Sequence, residues 1–271
     1  MQLSVLMSIY CKEKPEYFDQ CMQSIWCDQV VKPDQIILVK NGKLTNDLYD
    51  VIIEWQTKLP NILTLIVLEK DFGLANALNA GLKYCDGDFV ARMDTDDISL
   101  PKRFDKQLMF LKGHLKVDVV GSWMSEIDEN NTIIKEVVEY PKTHEQCLLS
   151  FTCRNPLAHP AVMFRRSFFD KAGYYPMEVP SLDDVAMWHQ GFMNGCIFAN
   201  VQEIYLKYRR DSNFYKRRGS LKKLIILLRY RIFRINPDMK YGIYGNFCAL
   251  VYFGLQILPS SIKKILYSKL R

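Results

Sequence analysis

Four short apolar runs, separated by segments of helical period, fill the first third of the chain and constrain its fold more than any other feature. The runs are "LSVLMSI" (3–9), "QIILVK" (35–40), "LTLIVL" (63–68) and "DFVARMD" (88–94). Between them lie "EYFDQCMQSIWCDQ", "TNDLYDVIIEWQTKL" and "GLANALNAGLKYC", in which apolar residues recur every three or four positions. Strands apolar throughout, rather than at alternate residues, are buried on both faces, and the intervening helices supply the covers. The spacing predicts a βαβαβαβ, Rossmann-like beginning with a parallel sheet. Strands of such a sheet all end on one edge, where ligands bind. The residues that follow the four runs are therefore expected to converge: Tyr10 and Glu13, Asn41 and Gly42, Asp71, and Asp94 to Asp97.

The middle of the chain is mixed. "VDVVGSW" and "TIIKEVVEY" are expected as strands around a turn at "DENN", with "HPAVMF" as a further strand. A helix from about Asp183 to Asn194 carries Val185, Trp188 and Phe192 on its core face. After Tyr208 the character changes. Residues 205–271 hold sixteen of the 36 Lys and Arg but two of the 30 acids, a net of +14, which leaves the rest at −8. An acidic body with a basic tail implies an anionic partner for the tail. Within it, Tyr241 to Ile262 is uncharged but contains three glycines, Asn246, Gln256 and Pro259. That run fits an interfacial hairpin or amphipathic tail better than a spanning helix, with a core helix pair bearing a solvated basic face as the alternative. The division expected is 1–210 and 211–271.

With 49% hydrophobic and 24% charged residues, the chain is not a disordered one. Its eight cysteines form no CxxC pair and are expected as small core residues in a reducing compartment. The N-terminal "MQLSVLMSIYCKEK" has no basic leader and reads as a strand of a cytosolic protein.

The run "VARMDTDDISLP" sets Asp94, Asp96 and Asp97 at the end of the fourth strand, where like charges repel unless a positive group offsets them. Three chemistries suit such a turn. A hard divalent cation takes one or two carboxylates and completes its shell with phosphates. A DxDxT phosphatase would need Thr where Ile98 stands, and a calcium loop of the EF-hand type would need Gly where Ser99 stands. A fourth reading gives Asp97 or Ser99 the duty of capping the helix that begins near Pro101.

"GDFVARMDTDDISLPKRFDKQLMFL" followed by "VDVVGSW" resembles the inverting nucleotide-sugar glycosyltransferases of family 2, with a GT-A fold. "LSVLMSIY", "DFGLANALNAGL", "HPAVMFRRSFFDKAGYYP" and "SLDDVAMW" extend the resemblance, in order, over residues 1 to about 210. Within the family, the chain is most similar to bacterial enzymes that build O-antigen and exopolysaccharide repeat units on a lipid carrier. The resemblance implies an α/β GT-A fold: a mostly parallel central sheet flanked by helices, here with a basic, apolar C-terminal helical tail.

It also implies roles. Asp96 would ligate a divalent cation, Mn2+ or Mg2+, with Asp94 beside the ribose or the metal, and the cation would offset the donor diphosphate. Asp184, next to Asp183 in a position where the family commonly has Glu-Asp, would be the base that takes the acceptor proton; capping of its helix is the alternative. Tyr10 would stack on the base of the donor, with Glu13, Asn41 and Asp71 nearby. Asn41 stands in "VKNG" where "VDDG" is commoner, and Leu78 in "ALN" where "ARN" is commoner. His159, Arg165 and Arg166 would face the acceptor. The donor implied is a nucleotide sugar, UDP-glucose or UDP-galactose, and the acceptor is N-acetylglucosamine on a polyprenyl diphosphate. Lys216, Arg217, Arg218, Lys222 and Lys223 would dock the tail, peripherally or monotopically, on the cytoplasmic face of the inner membrane. No nucleic-acid module accompanies this charge, so no nucleic-acid partner is expected. A DxD phosphatase and a non-catalytic assembly partner are the competing readings.

Overall fold

A computed structural model describes residues 2–211 and 220–258. The predicted βα alternation forms as β1 (Leu3–Ile9), α1 (Pro15–Ile25), β2 (Gln35–Asn41), α2 (Asn46–Lys58), β3 (Leu63–Leu68), α3 (Leu74–Leu82) and β4 (Phe89–Arg92). Local chemistry sets several of the helix starts. Pro15 occupies the first turn of α1, where its missing N–H costs nothing, and Thr45 caps α2 by accepting from the N–H of Leu48. The chain continues through β5 (Ile98–Ser99), α4 (Arg103–Gly113), β6 (Val119–Ile127), β7 (Ile133–Val138), α5 (His144–Phe151), β8 (Met163–Arg165), α6 (Ser167–Ala172), α7 (Asp183–Met193) and β9 (Phe198–Arg209). The capping box of Thr143 and Gln146 opens α5. Periodicity left β5, α5, α6 and β9 unassigned, because each is short or acquires its pattern only by pairing.

The sheet order is β3-β2-β1-β4-β8-β6-β9-β5, with β7 beside β6. β1 to β4 are mutually parallel, and β6 and β9 pair parallel; β8 lies antiparallel between β4 and β6, while β5 and β7 are antiparallel edges. The continuous apolar strands do separate two cores. Val5, Met7 and Ile9 of β1 face one side, with Phe18 of α1, Trp55 of α2 and Phe104 of α4. Leu6 faces the other, with Leu78 of α3, Phe151 of α5 and Trp188 of α7. Each such fully buried aliphatic side chain stabilises by about 1.5–3 kcal/mol. α3 comes so close to the sheet that a Cβ on Gly81 would lie 2.4 Å from Leu6 Cδ1 and 2.7 Å from Val39 Cγ2, which is why a glycine stands there.

Past residue 219, α8 (Leu221–Tyr230) runs through a π-helical turn (Arg231–Ile235) to Asp238, and α9 (Gly242–Ile257) follows. These helices pack on the body. Ile235 enters the second core, Tyr241 Oη donates to the carbonyl of Leu148, and Tyr230 Oη meets His189 Nδ1 at 3.0 Å. Cys153 is disulfide-bonded to Cys248 of α9. This corrects the expectation of eight single core thiols: Cys21, Cys85, Cys147 and Cys196 are buried and free, whereas Cys11 and Cys27 are exposed. Among the described residues, no helix is long and apolar enough to cross a membrane. Lys216, Arg217 and Arg218 lie outside the described residues, as does the end of the uncharged run after Leu258.

Candidate active site

Register brings the strand ends together. Ile9 pairs with Lys40, Asn41 with Leu68 and Leu6 with Arg92, so Tyr10, Asn41, Asp71 and Asp94 leave the sheet at one edge. The Glu13 N–H donates to the Tyr10 carbonyl and closes the turn after β1. The Asn41 amide is already committed: its Nδ2 donates to Asp71 Oδ1 at 2.8 Å and its Oδ1 accepts from the Phe72 N–H at 3.1 Å. Asp71 Oδ1 also accepts from the Gly73 N–H, at φ +84°, which shapes the entrance to α3. The two departures from the commoner family pattern thus have structural duties here, since Leu78 is fully buried in the second core.

Asp94, Asp96 and Asp97 each offer an oxygen within 4.8 Å of the others. The capping reading of this turn is corrected: α4 begins at Arg103 with Lys102 as its N-cap and no side-chain cap bond. Ser99 Oγ accepts from Gln29 Nε2 instead, and Asp97, fully buried, accepts the Arg209 N–H on Oδ1 at 2.8 Å. Among the described residues, its Oδ2 has no hydrogen-bond partner. Burial, then the carboxylates of Asp96 and Asp94, push the Asp97 carboxyl well above the usual range. A hard cation fits this set of oxygens and would reverse that repulsion.

Two residues that sequence reading missed hold the turn in place. Arg209, at the end of β9, donates from Nε to the Asp96 carbonyl at 2.7 Å, from Nη1 to the Asp128 carbonyl and Asn131 Oδ1, and from Nη2 to Gln20 Oε1. Arg92, almost fully buried, is ion-paired with Asp94, while its Nε and Nη1 have no hydrogen-bond partner among the described residues. Beneath them Arg103 donates to the Arg92 carbonyl at 2.7 Å, and burial lowers its pKa to about 9. The only signal for Arg209 was a basic residue ending an apolar run, "YLKYR".

A cavity of about 690 Å³ opens between this edge and the C-terminal helices. Asp94, Arg92, His159, Asp183 and Asp184 line it from the body; Lys223, Leu224, Leu227, Arg231, Tyr252 and Leu255 line it from α8 and α9. Asp183 and Asp184 open α7, whose N-cap, Leu182, makes no side-chain cap bond; the capping reading holds in part, since Asp184 accepts a first-turn N–H with one of its two oxygens. Asp184 Oδ2 accepts from Asn155 Nδ2 at 2.5 Å and Oδ1 accepts from the Val185 N–H at 2.8 Å. Burial and then Asp184 raise the Asp183 pKa, which bonds to its own backbone and to that of Ala75 only partly offset. Asp183 also borders a second cavity of about 400 Å³ against the start of α3. Among the described residues lining the larger cavity, Tyr10, Glu13, Asn41 and Asp71 do not occur.

His159 lines the cavity from the turn before β8. Its Nε2 lies 2.9 Å from Tyr175 Oη, and burial, then Arg92, hold its pKa well below the usual value. Arg165 and Arg166 are a correction. β8 runs antiparallel to β4, pairing Arg165 with Phe89, and the Arg166 N–H donates to the Asp88 carbonyl. The strand therefore carries both arginines away from the edge where His159 sits, towards the beginning of β4, and neither lines the cavity. There Arg165 donates to the carbonyls of Val117 and Leu111 and stacks on Phe89, a structural role.

The description "Glycosyl transferase family 2" matches residues 4–172. The UDP-Gal:alpha-D-GlcNAc-diphosphoundecaprenol beta-1,3-galactosyltransferase of Escherichia coli is 33% identical over 270 residues, covering 99% of this chain and 96% of that protein. In fold, the chain is similar to S. aureus TarS, with a TM-score of 0.64 and 20% identity over its whole length, although it spans 46% of that chain. It is also similar to the mannosyltransferase PcManGT from Pyrobaculum calidifontis in complex with GDP-Man and Mn2+, with a TM-score of 0.65, 13% identity and coverage of 99% and 75%. Matched over more than half its length by the family description and aligned almost end to end with a relative, the chain belongs to glycosyl transferase family 2 and is a glycosyltransferase with a GT-A-like fold.

Proposed function

We propose that the chain transfers a hexose, with inversion, from a uridine diphosphate sugar to a sugar carried on polyprenyl diphosphate, as a step in building an O-antigen or exopolysaccharide unit. One observation carries this reading: Asp94 of the acidic turn and the Asp183–Asp184 pair line the same cavity, though they lie some ninety residues apart in the chain. The relative from Escherichia coli, named for UDP-Gal and a GlcNAc-diphosphoundecaprenol, supports the choice of donor and acceptor class.

The chain's own residues divide the work. Asp184 takes the proton of the attacking acceptor hydroxyl, its carboxylate aimed by Asn155 and by the Val185 N–H. Tyr10 and Glu13 hold the nucleoside at the end of β1, beside the Asn41–Asp71 bond. Asp96, with Asp94 and Asp97, would hold a divalent cation, Mg2+ or Mn2+. When bound, that cation supplies the positive charge that steadies the leaving diphosphate. α8 and α9 close the cavity and exclude water, which would otherwise take the place of the acceptor. The enzyme works peripherally, with these helices towards the cytoplasmic membrane surface; exposed Ile243, Phe247 and Leu250 of α9 support that orientation.

The test incubates purified protein with a panel of nucleotide sugars, a synthetic sugar-diphosphate lipid and Mn2+ or Mg2+, with a chelator arm, and identifies the product by mass and linkage. The expected result is one transferred hexose, abolished by chelator and reduced about 100-fold or more in Asp96→Ala and Asp184→Asn. Unchanged turnover in either variant overturns the assignment of the site. Phosphate release without an acceptor would favour the phosphatase, and absence of nucleotide-sugar binding the non-catalytic partner.

A further inference from the structure

The wall that α8 and α9 add to the larger cavity has a chemistry of its own. Arg231 sits in the π-helical turn, and such widened turns recur at functional sites. It is 4% exposed. Its Nη1 donates to the carbonyls of Phe151 at 2.9 Å and Thr152 at 3.3 Å, and its guanidinium lies over the Phe151 ring. Among the described residues, no carboxylate comes within ion-pair distance of it and its Nε and Nη2 have no acceptor. Burial lowers its pKa, which Tyr252, Tyr241 and then Asp184 partly offset. A buried cation held by neutral carbonyls alone is costly, and an anionic ligand would remove that cost. Lys223, one helical segment earlier, borders both cavities and adds a second, exposed positive charge. Around them the wall is largely apolar, made by Leu224, Leu227, Leu255 and the ring of Tyr252, with Gln256 beside them.

We infer that this wall is the subsite for the lipid-diphosphate end of the acceptor, with Arg231 and Lys223 pairing the diphosphate and Leu224, Leu227, Tyr252 and Leu255 covering the first isoprene carbons. The inference rests on the reading of the chain as a transferase to a prenyl-diphosphate sugar. A ligand of that class is the one whose parts match the cavity in order: a sugar hydroxyl at Asp184, then an anion, then hydrocarbon. A free sugar or a polysaccharide end would leave the cation and the apolar wall unused. The guanidinium fork suits a diphosphate, which accepts two parallel hydrogen bonds. The C-terminal helices thus select the acceptor, while the strand ends of the body serve the donor.

The test measures transfer in neutral detergent, without anionic lipid, to two acceptors bearing the same sugar: a prenyl or arylalkyl diphosphate and a neutral alkyl glycoside. Wild type is expected to prefer the diphosphate by about 100-fold in kcat/KM. Arg231→Gln, Lys223→Glu and Leu255→Glu are each expected to raise the acceptor KM about tenfold or more, with the donor KM unmoved. Arg231→Lys is expected to restore part of the loss. Because Arg231 also packs on Phe151, Lys223→Glu and Leu255→Glu carry the test if Arg231→Gln fails to fold. Unmoved acceptor KM in those two, with wild-type transfer intact, overturns the subsite and leaves the proposed reaction standing. The same holds if the variants lose only binding to phosphatidylglycerol vesicles, which would assign the anion to a headgroup. Failure of wild type to transfer to any sugar diphosphate overturns the reaction itself.

Discussion

The backbone N–H of Arg209 donates to Asp97 Oδ1 at 2.8 Å, joining the last strand of the sheet to the acidic turn across 112 residues of chain. The guanidinium of the same residue reaches the Asp96 carbonyl, the 128–131 turn and Gln20, and lies 4.0 Å from the Tyr17 ring centroid. One buried side chain thus ties β9, α1 and the turn together. Arg209→Ala would leave several half-buried acceptors unpaired. A loss of about 2–4 kcal/mol is expected in denaturant unfolding, with weaker Mn2+ binding by titration calorimetry. Arg209→Lys keeps the charge without the fork and should recover little of either.

Asp183 makes stability and function pull in opposite directions. Its pKa is raised in the folded protein, by burial and then by Asp184. The folded state therefore binds this proton more tightly than the unfolded chain does. Its contribution to stability is fully present below the unfolded carboxylate pKa and is lost as pH rises through the higher folded value. Asp183→Asn removes that loss, so its melting temperature should exceed that of wild type at pH 7 and the gap should close towards pH 4. A melting temperature at or below that of wild type at pH 7 would contradict the assignment.

Asn155 spends one amide hydrogen on Asp184, while its Oδ1 is buried without a partner among the described residues. Asn155→Ala frees the carboxylate to turn, and kcat is expected to fall about tenfold, the equivalent of one charge-assisted hydrogen bond. Asn155→Asp sets a second acid against Asp184 and should fall further. Steady-state kinetics with saturating donor separate the two, and equal rates for both would show that Asn155 does not aim the base.

Arg165 provides the control. It holds the carbonyls of Val117 and Leu111 at the edge of the sheet away from the cavity. Arg165→Ala should destabilise by about 1–3 kcal/mol and leave both substrate KM values within about twofold. A large rise in acceptor KM with unchanged unfolding would return this arginine to the site.

What the sequence determined by itself was the order of the first seven elements and the edge at which their ends meet. A strand buried on both faces has to be apolar throughout, and the side-chain periods of strand and helix are written into local spacing; β1 and β2 are buried as that requires, whereas β3, at the end of the sheet, is apolar but leaves Val67 exposed. The acids of the turn and of α7 were legible as a cluster at a strand end and a pair at a helix start, but that Asp94, Asp183 and Asp184 line one cavity was not. The tertiary structure alone decided which cations meet them. Arg209 and Arg231 look like any basic residue in an apolar stretch, and Arg165 looks like a ligand. Only the antiparallel insertion of β8 and the folding of α8 and α9 over the cavity distinguish them, because pairing direction and long-range packing depend on partners that lie a hundred residues away in the chain.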